Sequence, residues 1–197
     1  EHMRLVREAG GQVNAYTSFD MTVYWETFPS NYLERMLWME ADRLASLDVS
    51  EENFKKEREV VKEERRMGPE NSNEEMVYEE LFATAFLAHS YSWPVIGWMS
   101  DIQSWKREDL MDYYKLYYAP NNCEMVIVGD FQPDQVLRLA REYLEPIPAQ
   151  PAPPPVTTRE PEQQGERRVT LSAQPGPEGM VEIAVSDTGP GIPAELL

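Results

Sequence analysis

Two glutamates in a strongly charged segment are the first candidates in the sequence for binding a metal. Glu57 and Glu64 lie seven residues apart, which is two turns of a helix, so their carboxylates share one face. Phe54, Val60 and Val61 are assigned to the same general face, where an unpaired carboxylate is costly. A bound metal is one partner that offsets this cost. Alternatively, in a helix this charged, carboxylates near the apolar side can simply reach solvent. The helix considered alone favours this alternative over a bound metal.

Histidine and cysteine are scarce, which limits the metal sites that the chain can build. It contains two histidines and one cysteine, Cys123, so neither an internal disulfide nor a cysteine-based zinc site is expected. Glu1 and His2 form a common dipeptide, which by itself indicates an ordinary surface position on a helix. Because the chain begins with Glu1 rather than Met, the sequence indicates that the native N-terminus lies upstream.

The composition is that of a folded, acidic chain. Its 197 residues are 42% hydrophobic, enough to bury the core of one medium-sized domain. A formal net charge of −17 argues against a nucleic-acid binder and a polybasic membrane-surface protein, since both need clustered Lys and Arg. No apolar run approaches the roughly 18 residues that span a bilayer. We therefore expect neither nucleic acid nor membrane among the partners.

Sequence periodicity predicts the elements that must position these side chains. Alternation over residues 11–28 predicts a β-hairpin, and residues 33–47 have the spacing of an amphipathic helix. Ser50 is expected to cap a second helix, which contains both glutamates. Further helices are predicted at about 73–88, 106–118 and 133–145, and strands at 123–128 and 168–172. The predicted class is α+β, with an antiparallel-rich sheet covered by helices on one side.

Several segments resemble, in order, the signatures of the pitrilysin/insulinase family of zinc metallopeptidases. Residues 10–22 resemble the family's Gly-Gly-x-x-Asn-Ala-x-Thr-x-x-Asp-x-Thr segment, and residues 57–64 resemble its downstream ligand helix. The later signatures are matched by residues 91–102, 117–122 and 126–130. Each match is weak alone, but together they run in family order over about residues 1–173. The resemblance implies an incomplete half of a pitrilysin-like peptidase domain, from a zinc-dependent endopeptidase that hydrolyses peptides or unfolded proteins.

The resemblance also implies a role for each carboxylate and for the first histidine. The family carries an inverted motif, His-x-x-Glu-His, on a helix, in which Glu1 would be the general base and His2 a Zn²⁺ ligand. Glu64 would be the third protein ligand, and Glu57 an outer carboxylate that orients it. The motif's first histidine would fall three positions before Glu1, so this chain alone is expected to be inactive.

The spacing of the motif departs from the family. His2 and Glu64 are 62 positions apart, which is shorter than the family's spacing by about four helical turns of residues. The apparent gap lies between Met3 and Gly10, and the sequence leaves open whether it is a real deletion. With only His2 and Glu64 retained, zinc is expected to be held weakly, if at all.

The resemblance places the substrate on a strand edge. Asn14 and Ala15 would lie on the strand that pairs with the peptide backbone, a mode of binding with loose sequence preference. His89 would lie in a structural loop and not at the metal. The expected partners are a peptide substrate and a second peptidase-like half or homologous subunit.

The C-terminal part differs in composition from the rest. Residues 1–148 are assigned to the truncated peptidase domain, 149–166 to an extended proline-rich linker, and 167–174 to a continuation strand of the peptidase family. Residues 175–197 resemble the Asp-x-Gly-x-Gly box of histidine-kinase ATPase domains. The magnesium-binding Asn helix and the second glycine box are missing, so no ATP binding is expected. We expect this tail to be a weakly anchored strand and turn, or a strand added to another sheet edge.

Three functions remain open at this level. The first is a zinc endopeptidase, and the sequence does not decide between the bacterial cytoplasm and the periplasm as its location. The second is a non-catalytic partner subunit, because the family includes subunits that lost the metal motif yet help to enclose substrate; the retained motif residues argue against it for the parent protein. The third is an ATP-binding histidine-kinase module, which the tail alone suggests and the rest of the chain contradicts.

Overall fold

The regular structure consists of short helices and two β-hairpins, which confirms the predicted α+β class. The computed structural model describes residues 2–161, 169–175 and 181–187, with side chains described for residues 2–161 and for Ser172. The helices are α1 (His2–Glu8), α2 (Leu33–Ser46), α3 (Glu51–Met67), α4 (Asn73–Ala85), α5 (Met99–Ser104), α6 (Arg107–Tyr117) and α7 (Pro133–Tyr143). The strands are β1 (Gln12–Thr17), β2 (Thr22–Thr27), β3 (Val169–Pro175) and β4 (Val181–Asp187).

The chain divides into two compact units. The first comprises Glu1–Phe54 and Trp105–Pro155, and the second comprises Lys55–Ser104 and Val156–Leu197. Within the described residues, no helix is both long enough and apolar enough to cross a membrane.

The first hairpin forms where the alternating sequence predicts it. β1 and β2 pair antiparallel from Gln12 opposite Thr27 to Thr17 opposite Thr22. The Ser18 amide closes the turn by donating to the carbonyl oxygen of Met21 over 2.8 Å. At the entrance to the hairpin, Gly10 adopts a φ of 79°, a conformation that glycine reaches without strain. The chain can therefore turn sharply from α1 into β1.

Two apolar clusters hold the first unit together, and the first of them joins α1, β1 and α2. The first cluster buries Val6 of α1, and Ala9 just after that helix, against Met36 and Met39 of α2. Partly buried residues from the hairpin and the segment after it pack against this cluster, among them Val13 and Phe28. The second cluster joins α2 to α7 through Leu33, Leu37 and Leu139. Burial of such side chains contributes about 1.5–3 kcal/mol each.

The second unit is organised around a buried ion pair and a row of aromatic rings. Arg65 of α3 is 6% exposed and pairs with Glu79 of α4 through both of its terminal nitrogens. Its guanidinium carbon lies 5.3 Å from the ring centroid of Trp98. The aromatic row continues along α4 through Tyr78, Phe82 and Phe86.

Residues 123–128 are not the buried strand that their sequence predicts. They are free of regular secondary structure, and Val126 and Val128 are 75% and 90% exposed. Only Ile127 packs against an apolar cluster, the one that joins α2 to α7. A strand needs a hydrogen-bonding neighbour, and each described hairpin pairs only within itself. The β-branched pattern therefore does not by itself supply the partner that makes a segment a strand.

The C-terminal segment contributes a second hairpin. β3 pairs antiparallel with β4, from Val169 opposite Asp187 to Pro175 opposite Val181. Residues 149–161 carry no regular secondary structure, and their role as a linker stays a prediction. The remainder of the predicted linker, residues 162–166, and the glycines of the kinase-like box, Gly189 and Gly191, lie outside the described residues.

A carboxylate from the proline-rich segment is held by three consecutive backbone amides. Glu160 accepts hydrogen bonds from the amides of Leu87, Ala88 and His89 over 2.7, 3.0 and 2.9 Å. Burial acts to raise the pKa of Glu160, but the three amides and the neighbouring His89 outweigh it and lower that pKa below its ordinary value. Hydrogen bonds to a charged form favour that form.

We expect the amide resonances of Leu87, Ala88 and His89 to titrate together at a pH below the ordinary glutamate pKa of about 4.3. Folding lowers the pKa of Glu160, so the ionised carboxylate stabilises the fold fully at pH values above the ordinary pKa. This stabilisation is lost as the pH falls through the folded pKa. Two-dimensional ¹H–¹⁵N spectra recorded over an acid titration measure the midpoint. In Glu160→Gln this shared transition should vanish. A midpoint at or above the ordinary value, or its persistence in the variant, contradicts the assignment.

Candidate metal centre

One histidine and two glutamates converge in the first unit. The Nε2 atom of His2 lies 3.1 Å from Oε2 of Glu26 and 3.4 Å from Oε1 of Glu40. The nearest ligand atoms of the three side chains all lie within 4.8 Å of one another. The side chains are only 25%, 11% and 24% exposed, in the order His2, Glu26, Glu40. This group, His2, Glu26 and Glu40, is called the His-Glu-Glu cluster below.

Each member of the cluster lies beside an apolar residue, on the same helix for His2 and Glu40 and on the paired strand for Glu26. His2 and the fully buried Val6 are four residues apart on α1 and share a helix face, as Glu40 does with Met36 on α2. Glu26 lies opposite Val13 in the hairpin register, so both side chains point to the same side of the sheet. Since Val6, Val13 and Met36 all belong to one apolar cluster, the three polar side chains emerge together at its border.

The electrostatics of the cluster are dominated by its two carboxylates. Burial and the negative charge of Glu40 raise the pKa of Glu26, and the effects of His2 and Arg43 offset this only in part. Arg43 forms an ion pair with Glu40 one turn earlier on α2. The arginine also lies over the ring of Tyr24, 4.4 Å from its centroid, so its position is constrained from two sides.

The two glutamates of α3 do not lie where the sequence placed them relative to the apolar stripe. They share one helix face, as predicted, but Glu57 and Glu64 are both exposed, and Val60 between them is 43% exposed. The buried stripe passes instead through Phe54 and Arg65, eleven residues apart on the same helix. The expectation of carboxylates on the core-facing stripe is therefore wrong, because a buried arginine occupies that face and the apolar residues divide between two faces.

The predicted substrate strand is present and accessible. Asn14 and Ala15 are exposed residues of β1, opposite Trp25 and Tyr24 in the hairpin register. The amide of Ala15 donates to Oδ1 of Asn14 over 2.9 Å. A peptide that paired with β1 through this amide would have to displace the Asn14 side chain.

His89 occupies a structural loop, where the resemblance places it. It caps the 3-10 turn Ser90–Ser92, and its Nδ1 accepts a hydrogen bond from the Tyr91 amide over 3.3 Å. Its ring packs edge-on against Tyr91 with centroids 4.4 Å apart. These contacts account for the position of the imidazole without a metal.

The described residues do not test the catalytic and metal site that the sequence predicts. Glu1, the predicted general base, lies outside the described residues. His2 belongs to the first unit, whereas Glu57 and Glu64 belong to the second, so their joint coordination of a metal stays a prediction. Sequence reasoning missed Glu26 and Glu40. The alternating pattern of the hairpin could have identified Glu26, because it places this residue opposite Val13. Nothing in the sequence distinguishes Glu40.

Comparison with known protein families gives two matches along the chain. The family described as Insulinase (Peptidase family M16) matches residues 1–97, and the Peptidase M16 inactive domain matches residues 104–190. The second match includes β4, so it runs into the segment that resembles a kinase box; that assignment stays a prediction. The chain belongs to the pitrilysin/insulinase family of peptidases, M16.

Individual relatives include proteins named as zinc proteases. The zinc protease PqqE of Helicobacter pylori is 37% identical over 173 residues, which are 87% of this chain and 39% of that protein. The mitochondrial-processing peptidase subunit beta of Bos taurus is 29% identical over 136 residues, 69% of this chain and 28% of that protein. The chain thus spans about two fifths or less of the length of these relatives.

Solved structures show the same fold. The crystal structure of a protease from Helicobacter pylori superposes with a TM-score of 0.79 at 37% identity, over 82% of this chain and 40% of that one. The first half of the periplasmic protease PqqL from Escherichia coli gives a TM-score of 0.71 at 22% identity, over 82% of this chain and 36% of that one.

Proposed function

We propose that the protein containing this chain is a zinc-dependent endopeptidase that hydrolyses peptides or unfolded proteins. The observation that carries the proposal is the insulinase-family match over residues 1–97, a range that contains Glu1, His2, Glu57 and Glu64. The 37% identity to a protein named as a zinc protease supports it. The 197-residue chain is expected to be inactive alone, because the motif's first histidine would lie three positions before Glu1.

The donor chemistry of these residues fits zinc. Imidazole nitrogen and carboxylate oxygen are both ordinary zinc ligands, and a catalytic site uses three protein ligands with one open position. His2 and Glu64 would supply two of the three, and Glu57 would be an outer carboxylate that orients Glu64. When bound, the metal polarises the scissile carbonyl and lowers the pKa of water to about 7.

Glu1 and the first strand would carry the remaining steps. As general base, Glu1 would take a proton from the attacking water and deliver it to the departing amine. Asn14 and Ala15 lie exposed on β1, where a substrate backbone can pair as an additional strand. Backbone pairing depends little on side-chain identity, so we expect broad sequence preference with specificity from pockets for alternate side chains.

A second peptidase-like half or a homologous subunit is the proposed partner. This chain covers 36% of the first half of PqqL and 18% of the whole of that protease. Another relative is, by its name, the beta subunit of the mitochondrial-processing peptidase. By analogy with those proteins, we propose that a further half or subunit completes the enclosure around the substrate.

Zinc content and peptidase activity, measured side by side, test the proposed function. We compare this chain with a protein extended upstream through the expected His-x-x and downstream to full length. Only the extended protein is expected to cleave a generic unfolded peptide, with activity lost on chelation and restored by zinc. If the extended protein folds but shows no zinc-dependent cleavage, the catalytic proposal is wrong, and a non-catalytic partner subunit is the better description.

A further inference from the structure

The His-Glu-Glu cluster has the make-up of a metal site that differs from the one implied by the family. It takes one ligand atom from each of three elements: α1 supplies His2, β2 supplies Glu26 and α2 supplies Glu40. We propose that these three residues bind a divalent transition metal, with zinc as the first choice, in this chain. The proposal shares His2 with the peptidase site but replaces Glu64, and it goes beyond the proposed peptidase reaction.

The spacing of the ligand atoms suits a tetrahedral ion. Zinc lies about 2.0–2.2 Å from nitrogen and oxygen ligands, so two ligands on a tetrahedron lie roughly 3.4 Å apart. The separations between His2 and the two glutamates are 3.1 and 3.4 Å. Both separations are close to this value, and all three ligand atoms lie within 4.8 Å of one another.

A single proton on His2 cannot pair with both carboxylates, whereas a metal ion can contact all three side chains. Nε2 of His2 carries at most one hydrogen, yet it faces oxygen atoms of both Glu26 and Glu40. One hydrogen cannot point at both acceptors with good geometry. A metal ion contacts all three ligand atoms at once and brings two positive charges to a pair of partly buried carboxylates. Arg43 pairs with the same Glu40 oxygen, Oε1, that lies 3.4 Å from His2, so the arginine must share or release this oxygen when a metal binds.

The ligand set also narrows the class of metal. Magnesium and calcium prefer sites built from oxygen alone, whereas an imidazole ligand favours zinc and its neighbours in the transition series. Three protein ligands leave a fourth position for water or another ligand. Since the three side chains are 11–25% exposed, that position remains within reach of solvent.

Isothermal titration of the metal-free 197-residue chain with zinc tests the inference, with cobalt absorption as a second readout of coordination. We expect one zinc per chain, and we expect His2→Ala, Glu26→Gln and Glu40→Gln each to weaken binding by roughly tenfold or more. Glu8→Gln, on the exposed side of α1 and paired with Arg4, is the matched control and should bind as the parent does. Glu64→Gln should also bind as the parent does.

The same titrations define the results that overturn the inference. Loss of binding in Glu64→Gln, with Glu26→Gln and Glu40→Gln unaffected, assigns the metal to the family's ligand set instead. Absence of zinc binding, or equal binding by all variants, rejects the cluster as a site. Circular dichroism of each variant without metal shows whether it is folded. For a variant that is not, zinc-dependent shifts of the Glu26 and Glu40 side-chain carboxyl resonances in the parent chain decide the point, because His2 belongs to both ligand sets. None of these measurements depends on peptidase activity, so failure of this inference and failure of the proposed function are distinguishable.

Discussion

Replacing Glu1 by Gln in a protein extended through the first motif histidine is expected to lower kcat about 1000-fold while zinc stays bound. Gln has nearly the size of Glu but cannot accept a proton, and the proposed role of Glu1 is proton transfer rather than metal binding. Steady-state cleavage of a quenched fluorescent peptide measures kcat, and metal analysis of the same sample measures zinc.

Two control variants separate the role of Glu1 from general damage to its helix. Glu8→Gln removes a carboxylate from the exposed side of α1, where it pairs with Arg4, and should leave kcat unchanged. His2→Ala is expected to lose both zinc and activity, because it removes a ligand. If Glu1→Gln keeps kcat within tenfold of the parent, Glu1 is not the general base, and another group must accept the proton.

The hairpin and most of the longer helices could be predicted from the sequence because their signals are local. Alternating residues on either side of Ser18-Phe19-Asp20 indicated the hairpin, and the turn is closed by a hydrogen bond between Ser18 and Met21. Ser50 was expected to cap α3, and its hydroxyl oxygen accepts the Asn53 amide over 3.2 Å. Helix α5 has only six residues, which is too short for a periodic pattern to stand out, and it was not predicted.

Features that depend on distant partners could not be predicted. The strand pattern of residues 123–128 carries no information about which strand pairs with it. On α3, periodicity showed that Glu57 and Glu64 share a face, but the choice of the buried face depends on Glu79, fourteen residues after Arg65 in the sequence. In the same way, Glu26 and Glu40 meet His2 only through the packing of α1, β2 and α2. A single sequence does not show which distant residues contact one another.

We expect the largest loss of stability when the buried ion pair between Arg65 and Glu79 is broken. Their side chains are 7% and 13% exposed, and Nη2 of Arg65 donates to Oε1 of Glu79 over 2.8 Å, with a parallel bond from Nη1. The hydrogen bonds to Glu79 raise the pKa of Arg65 above its ordinary value. Glu79→Ala leaves a buried guanidinium without its main partner, so we expect the free energy of unfolding to fall by about 3–5 kcal/mol. Urea unfolding followed by far-ultraviolet circular dichroism measures the change.

Glu63→Ala is the matched control, because it breaks an ion pair of the same chemistry at the surface. Glu63 pairs with Arg66 of the same helix, and these side chains are 60% and 46% exposed. Exposed pairs contribute about 0.2–1 kcal/mol, so this variant should unfold close to the parent. The double variant Arg65→Met, Glu79→Leu removes both charges and should recover much of the stability lost in Glu79→Ala. If Glu79→Ala and Glu63→Ala destabilise equally, the cost does not arise from a buried, uncompensated charge, and Arg65 must then reach solvent when its partner is removed.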